Sequence, residues 1–191
     1  MPKISLKKIN SLKKNKIGIS ALTSYDASFA KLADNCGVDI ILVGDSLGEV
    51  IQGKPNTHSV TMNDMCYHTK IVSGAIKKAF LIADMPKNSY KTKSQALNNA
   101  KKLVAKNMAD MVKIEFKEKD AEIIRYLISH NISVCSHIGV LPQTIKNKSG
   151  YKKVGKTTYE ANRLIDEAIF IEKLGSQMLI VECIDEKVTK T

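Results

Sequence analysis

Residues 35–45 read Asn-Cys-Gly-Val-Asp-Ile-Ile-Leu-Val-Gly-Asp, and this stretch decides the fold. A short turn leads into four consecutive apolar residues, and a carboxylate follows them. Residues 106–115 and 174–182 repeat the same design, each ending on a glutamate. Short, nearly continuous apolar runs are typical of strands buried on both faces, as in parallel sheets. The repeat therefore predicts an α/β fold with a parallel sheet.

The rest of the chain alternates in the same way. Thr61 with Asp64, and Thr157 with Glu160, have the spacing of a capping box and predict helix starts, while Gly37 is typical of a helix end. The order is strand then helix, repeated six times, which favours a parallel sheet. Strands are predicted at 17–25, 40–45, 80–86, 111–115, 133–139 and 178–182, and helices at 26–36, 61–79, 94–107, 118–130 and 157–174.

Length and hydropathy limit the class of protein. The chain has 191 residues, of which 43% are hydrophobic, and this suits one domain. No run approaches the ~18 apolar residues of a membrane span, so we expect no membrane partner. The first 16 residues carry charge but no apolar core, so no secretory signal is visible.

Charge and cysteine content give two further expectations. Lys and Arg number 30 against 19 acids, a formal charge of +11, but only Arg125 and Arg163 are arginines. Nucleic-acid readers depend on arginine for bidentate contacts, so this balance points away from a nucleic-acid partner. The four cysteines show no CxxC spacing, which favours free thiols in a reducing, cytoplasmic compartment.

Titratable side chains follow five successive strands. Because the carboxyl ends of parallel strands meet at one edge of a sheet, these side chains should share one site. A single acid after a strand is commonly a helix cap, but five in a row are hard to explain as caps. The candidate residues are Asp45 and Ser46, Asp84, Lys113 and Glu115, His137, and Glu182.

The residue types at this edge indicate the chemistry. Carboxylates without a Cys/His cluster suit Mg²⁺ rather than zinc. Lys113 and Glu115 are two apart in a strand and share a face, so the ammonium could neutralise an enolate or a carboxylate. Glu182, on a more distant strand, would be a free general base. A structural hydrogen bond at His137 is nearly as plausible as a catalytic contact. The pattern indicates metal-assisted proton abstraction next to a carbonyl.

One motif points to a different class. Residues 150–157, Gly-Tyr-Lys-Lys-Val-Gly-Lys-Thr, fit the Walker A pattern, and a helix follows them. A P-loop must leave directly from a strand so that its amides wrap the phosphates. Here the preceding strand ends at Gly139 and a loop intervenes. A P-loop NTPase is therefore a remote alternative.

The motifs together resemble the ketopantoate hydroxymethyltransferase family, in the family's order and over nearly the whole chain. The most specific are the two strand ends at 42–48 (Leu-Val-Gly-Asp-Ser-Leu-Gly) and 111–115 (Met-Val-Lys-Ile-Glu). The others are Thr23-Ser-Tyr-Asp-Ala-Ser-Phe-Ala-Lys31, Tyr67-His-Thr69, Ala83-Asp-Met-Pro86, His137-Ile-Gly139 with Pro142-Gln143, Gly150-Tyr-Lys152 and Val181-Glu-Cys183.

The resemblance implies a (β/α)₈ TIM-barrel enzyme, usually a large homo-oligomer and often a decamer. It implies transfer of a hydroxymethyl group from 5,10-methylenetetrahydrofolate to 3-methyl-2-oxobutanoate, giving 2-dehydropantoate for pantothenate synthesis. Its partners would be the 2-oxo acid and the reduced folate. Carried over by position, the implied Mg²⁺ ligands are Asp45, Asp84 and Glu115. The implied substrate contacts are Asp45, Ser46, Asp84 and Lys113, and the implied base is Glu182.

Some positions depart from the family pattern. Lys87-Asn88 follows the Asp-Met-Pro motif, Phe116 follows Glu115, Ser136 precedes His137, and His58-Ser59 stands where the family has Leu-Pro. Each was expected to lie beside the pocket and to affect substrate fit.

The chain is shorter than a complete barrel. Six βα units are predicted, whereas a (β/α)₈ barrel needs eight and typically about 250 residues. Residues 1–191 are thus expected to form a single incomplete barrel domain, truncated at the C-terminus. Its open sheet would expose apolar edges at 17–25 and 178–183. An inactive fragment that binds 2-oxo acid without turnover is the alternative to an active enzyme.

Overall fold

A computed structural model describes residues 2–145 and 151–190 of the chain, and its sheet follows the chain order. Six strands lie side by side in the order β1 to β6, and every neighbouring pair is parallel. This is a partial TIM-type barrel, a curled sheet with helices outside it. The strands are β1 (Ala21–Thr23), β2 (Ile40–Val43), β3 (Phe80–Asp84), β4 (Met111–Glu115), β5 (Val134–Gly139) and β6 (Met178–Glu182).

Helices follow the strands and form the outer layer. Both predicted capping boxes are present, at Thr61 with Asp64 and at Thr157 with Glu160. The helices are α1 (Leu6–Lys14), α2 (Ala27–Asn35), α3 (Leu47–Val50), α4 (Met62–Ala75), α5 (Lys93–Val104), α6 (Ala121–Ser129), α7 (Thr158–Leu174) and α8 (Glu186–Thr189). Short 3₁₀ turns lie at Ala105–Asn107, Glu118–Asp120 and Pro142–Thr144.

Successive side chains of each strand point to opposite faces of the sheet, and this produces two apolar layers, one on each face. Ile41, Leu81 and Val112 belong to the layer between the sheet and its helices, and they are completely buried. Their neighbours in sequence point into the barrel, because successive side chains of a strand face opposite sides. The same alternation directs Asp84 and Lys113 inward at the carboxyl ends of their strands.

Helix α1 lies in the charged N-terminal segment and is not among the predicted helices. The Ser5 side chain caps it by accepting from the Lys8 N–H. Ile9 is buried in the inner apolar layer, so α1 covers the amino end of the barrel. Ile9 packs in a cluster with Ile40, Phe80, Ile82, Met111 and Cys135.

Several predicted elements are longer than the observed ones, and β1 and α4 differ most. Strand β1 covers 21–23 rather than 17–25, because among the described strands it pairs with β2 alone, and β2 is four residues long. Helix α4 ends at Ala75 rather than at residue 79, because Ile76 is extended and the next three N–H groups bond to the Asp34 carboxylate.

The two edge strands expose apolar side chains, as predicted for an open sheet. All three residues of β1 are exposed, and Leu22 keeps 54% of its surface in solvent. On β6, Leu179 and Val181 are exposed, the latter by 44%. Unpaired apolar edges favour pairing with other chains. Among the described helices, none has both the length and the hydropathy to cross a bilayer.

Placing a positive charge on the edge strand β6 should reduce self-association. We expect Val181→Lys to raise the monomer fraction measured by size-exclusion chromatography with light scattering, because a lysine opposes edge-to-edge pairing. Val50→Lys is the matched control, since Val50 is exposed but lies on helix α3 rather than on an edge strand. An equal gain in monomer from both variants would show that added charge, rather than the edge, is responsible.

A buried carboxylate connects α2 to the start of β3. Asp34 accepts hydrogen bonds from the backbone N–H groups of Lys77 (3.0 Å), Lys78 (2.9 Å) and Ala79 (2.7 Å). Burial raises the pKa of Asp34, but the three hydrogen bonds outweigh it and the net pKa lies below its ordinary value of 3.8. Asp34 therefore stabilises the fold as an anion.

Replacing Asp34 should lower stability in a pH-dependent way. Asp34→Asn leaves one backbone N–H facing an amide donor, so the free energy of unfolding should fall by about 1–3 kcal/mol at pH 7. A depressed native pKa gives stability that is present above 3.8 and is lost as the pH falls through the native value. The difference between wild type and variant should therefore shrink below about pH 4.

Urea unfolding at pH 7 and pH 3 would measure this difference. Asp166→Asn is the control, because Asp166 is an exposed aspartate on α7. A deficit for Asp34→Asn that stays constant down to pH 3 would contradict the assignment of an ionised Asp34.

Candidate active site

The predicted side chains meet at the carboxyl ends of the strands. The register sets Asp84 opposite Lys113, Glu115 opposite His137, and Gly139 opposite Glu182. Parallel strands in register bring their ends to one rim, as the sequence predicted. Asp45, Asp84, Lys113, Glu115 and His137 are all buried, whereas Glu182 is partly exposed.

Lys113 and Asp84 form a buried ion pair. The Lys113 Nζ lies 3.0 Å from the Asp84 Oδ1. The other oxygen of Asp84 accepts a hydrogen bond of 3.0 Å from the backbone N–H of Asp45. Burial lowers the pKa of Lys113, but the carboxylates of Asp84 and Asp45 outweigh it and raise the net pKa. The ammonium is therefore charged and sits against two carboxyl groups.

At Asp45 and Glu115, the anionic form of the carboxyl group is destabilised. Burial, and then the negative charge of Asp84, raise the pKa of Asp45. Burial likewise raises the pKa of Glu115 to about 7, although a backbone hydrogen bond from Gln143 opposes the shift. Asp45, Asp84 and Glu115 thus share the single ammonium of Lys113. That one positive charge cannot balance all three carboxyl groups as anions.

A tyrosine and a histidine support Ser46. The Tyr25 hydroxyl lies 2.7 Å from the Ser46 Oγ, and the His68 Nδ1 lies 2.7 Å from the Tyr25 carbonyl oxygen. Burial is the main cause that raises the pKa of Tyr25, so its hydroxyl keeps its proton. His68 lies inside α4, and its ring is hydrogen-bonded within the structure.

His137 lies beside Glu182. The His137 Nε2 is 3.3 Å from the Glu182 Oε2, and only 1% of the histidine side chain is exposed against 35% of the glutamate. Neither ring nitrogen has a hydrogen bond of good geometry within the described residues. The next residue, Cys183, has φ +52°, a left-handed conformation that costs a non-glycine residue about 1 kcal/mol or more. The backbone thus turns sharply directly after Glu182.

The residues fit a hard divalent cation. The Glu115 Oε2 is buried without a hydrogen-bond partner in the described part of the chain, and Asp45 and Asp84 lie next to each other. No group of three or more His, Cys, Asp or Glu residues within 2–145 and 151–190 is arranged as a ready ligand set. Mg²⁺ commonly binds one or two carboxylates and takes its other ligands from water and substrate. Asp45 and Asp84 are the pair that suits this mode.

Sequence reasoning assigned no role to Gln143 and did not single out Tyr90. The Gln143 Nε2 donates to the Asp45 Oδ2 at 2.8 Å, and the Tyr90 hydroxyl donates to the Gln143 Oε1 at 2.8 Å. In the sequence, Pro142-Gln143 contributes only to the family motif that begins at His137. Its position just after the strand that carries His137 was the available signal.

Two departures from the family pattern lie away from the site. Phe116 packs edge-to-face against Phe170 of α7, with ring centroids 6.1 Å apart. Ser136 points to the outer side of the sheet, where its Oγ lies 3.0 Å from the Ser176 Oγ. The expectation that these two side chains lie beside the pocket is wrong, because alternation along the strand turns both outward.

The Walker-like string does not form a phosphate cradle in its described part. Gly150 lies outside the described residues. Val154 makes an isolated parallel bridge with Ile184, and the Glu160 carboxylate accepts from the N–H groups of Lys156 and Thr157. A carboxylate already occupies the amides at this helix start, so the P-loop reading is not favoured.

Solved structures with a similar fold include two enzymes that align over most of this chain. A phosphonopyruvate hydrolase, in a complex with oxalate and Mg²⁺, aligns with a TM-score of 0.71 at 12% identity, over 95% of this chain and 63% of that protein. A 2,3-dimethylmalate lyase of the PEP mutase/isocitrate lyase superfamily aligns with a TM-score of 0.69 at 14% identity, over 98% and 65%. This chain spans under two thirds of either structure, and the likeness shows the fold.

Two relatives by sequence carry the same name, 3-methyl-2-oxobutanoate hydroxymethyltransferase. The protein of Buchnera aphidicola subsp. Acyrthosiphon pisum (strain 5A) is 44% identical over 190 residues, covering 100% of this chain and 72% of the relative. That of Nitrosococcus oceani is 42% identical over 184 residues, covering 96% and 70%. The sequence model of ketopantoate hydroxymethyltransferase matches residues 3–191. With its strand-end carboxylates in the family's order, the chain belongs to the ketopantoate hydroxymethyltransferase family of transferases.

Proposed function

We propose that this chain carries the site for transfer of a hydroxymethyl group from 5,10-methylenetetrahydrofolate to 3-methyl-2-oxobutanoate, with Mg²⁺, in pantothenate synthesis. The observation that carries the proposal is the buried rim of Asp45, Asp84, Lys113 and Glu115, which opens toward the partly exposed Glu182. The names of the relatives support the choice of substrate.

Asp45 and Asp84 are proposed to hold Mg²⁺, with Glu115 close by. When bound there, the ion would polarise the carbonyl of a 2-oxo acid. Lys113 would hold the developing negative charge, since its Nζ is buried and already paired with a carboxylate. Ser46, hydrogen-bonded to Tyr25, would orient the substrate beside these groups.

Glu182 is the proposed general base. It is the carboxylate of the rim that keeps contact with solvent, since 35% of its side chain is exposed. Its Oε2 lies 3.3 Å from the His137 Nε2, so the ring can hold the carboxylate in place or share the proton that it receives. His137 therefore remains a candidate that acts through Glu182.

The proposed reaction balances without a redox step. Glu182 takes the proton from C3 of the 2-oxo acid, and the electron pair of that C–H bond forms the enolate. C3 then forms a carbon–carbon bond to the one-carbon unit of the folate, whose carbon–nitrogen bonds break. Water supplies the hydroxyl group, and the two folate nitrogens released from the one-carbon unit take up the proton held by Glu182 and the remaining proton of that water. Tetrahydrofolate and 2-dehydropantoate then leave.

We further propose a cytoplasmic location and a homo-oligomer. Cys36, Cys66, Cys135 and Cys183 are all free thiols, which suits a reducing compartment. Exposed apolar side chains on β1 and β6 offer surface for contacts between subunits. The decamer implied by the family resemblance remains a proposal.

Loss of the base should stop the first chemical step. We expect Glu182→Gln to slow exchange of the C3 proton of 3-methyl-2-oxobutanoate in D₂O by about 10²–10⁴-fold, the usual contribution of a general base. Proton NMR in the presence of Mg²⁺ measures this exchange without any folate. Formation of ketopantoate from the folate donor should fall in parallel.

Glu172→Gln is the control for this experiment, since Glu172 is an exposed glutamate on α7. Unchanged exchange in Glu182→Gln would overturn the assignment of the base. A folded wild-type chain that binds the 2-oxo acid in calorimetry but exchanges no proton would instead support the alternative of binding without turnover.

Removal of one proposed ligand should weaken metal binding. We expect Asp84→Asn to lower the Mg²⁺ affinity of the chain, measured by calorimetric titration, by at least about 10-fold, because a carboxylate is the ligand that Mg²⁺ prefers. Asp166→Asn, on the surface, should bind Mg²⁺ as the wild type does. Equal affinities in all three proteins would exclude Asp84 as a ligand.

A further inference from the structure

Gln143 is the buried centre of the hydrogen bonds at the rim. It lies in the 3₁₀ turn after β5 and is 6% exposed. Its backbone N–H donates to the Glu115 Oε1 at 2.9 Å, and its Nε2 donates to the Asp45 Oδ2 at 2.8 Å and to the Met85 carbonyl oxygen at 2.9 Å. One residue thus links the ends of β2, β3 and β4.

The orientation of the amide is determined by its partners. Nε2 faces two oxygen acceptors, and both of its hydrogens are used. Oε1 faces the hydroxyl of Tyr90, which donates at 2.8 Å and is itself buried. A flipped amide would set Oε1 against the Asp45 carboxylate and the Met85 carbonyl, so a single orientation satisfies the network.

The contact to Asp45 has an electrostatic consequence. Asp45 and Asp84 are adjacent carboxylates, joined through the Asp45 N–H and the Asp84 Oδ2, and they repel each other. An amide donor at the Asp45 Oδ2 stabilises the charged form and restricts rotation of the carboxylate. Without that donor the carboxylate would be free to turn, and ordering it again would oppose cation binding.

We propose that Gln143 is a positioning residue that holds Asp45 and Glu115 in the arrangement needed for a divalent cation, with Tyr90 supporting it. The inference rests on the proposed function, because it takes these carboxylates as the cation site. Groups that hydrogen-bond to metal ligands commonly change metal affinity by about 10–100-fold when they are removed.

The test uses the full chain and Mn²⁺ as a paramagnetic probe, with free Mn²⁺ measured by electron paramagnetic resonance. Gln143→Leu should raise the Kd for Mn²⁺ by about 10–100-fold. Tyr90→Phe, which removes only the hydroxyl that orients the amide, should raise it by a smaller factor in the same direction. Competition with Mg²⁺ should show the same order.

Gln95→Leu is the matched control, because Gln95 also uses its side chain in two hydrogen bonds, with the Lys91 N–H and the Asn88 carbonyl oxygen, and neither bond involves a rim carboxylate. This variant loses both hydrogen bonds, so its melting temperature should fall, but it should bind Mn²⁺ normally. A melting temperature lowered in Gln143→Leu with an unchanged Kd would assign Gln143 a merely structural role and overturn the inference.

Mn²⁺ binding distinguishes the proposed cation site from the proposed positioning role of Gln143. Normal Mn²⁺ binding by the wild type and by Gln143→Leu overturns the positioning role and leaves the proposed cation site in place. No Mn²⁺ binding by the folded wild type overturns the cation site itself, and the positioning role with it. Weakened binding in both Gln143→Leu and Tyr90→Phe, but not in Gln95→Leu, supports the inference.

Discussion

The buried ion pair between Lys113 and Asp84 is the constraint on which the site depends. Placing an ammonium in a protein interior is costly unless a charged partner lies within a few ångströms. Here two carboxyl groups, Asp84 and Asp45, face the ammonium, and together they keep it charged. Glu115 adds a third carboxyl group, and burial raises its pKa to about 7, so carboxyl groups are in excess over the one ammonium. This excess is the physical reason why the rim suits a divalent cation.

The barrel geometry makes such a cluster possible. Each strand contributes only one or two inward side chains at its carboxyl end, so a site of several charges has to be collected from neighbouring strands. The inner layer below is apolar, and α1 packs against it through Ile9 at the amino end of the strands. The outer helices are connected to the sheet by polar contacts such as that of Asp34. The open edges at β1 and β6 are the part of this design that the described strands leave unpaired.

Much of the site was readable from sequence because it follows a simple rule. An apolar run followed by a carboxylate predicts a buried parallel strand with a polar end, and Asp84, Glu115 and Glu182 all obeyed it. Boundaries were less well predicted where tertiary contacts set them. Strand β1 is short because its partner is short, and α4 ends early where Asp34 binds the following amides. Neither fact is visible in the local pattern of residues.

The sequence by itself determined the parallel α/β architecture, the family, and the set of rim residues, because hydrophobic periodicity and strand-end side chains are local features of the chain. Only the tertiary structure decided the contacts among them. It turned Phe116 and Ser136 outward, placed His137 against Glu182, and brought Gln143 from a loop 98 positions away in sequence to the carboxylate of Asp45. Such long-range hydrogen bonds depend on how the strands curl and how the loops fold over their ends, and no local pattern specifies either.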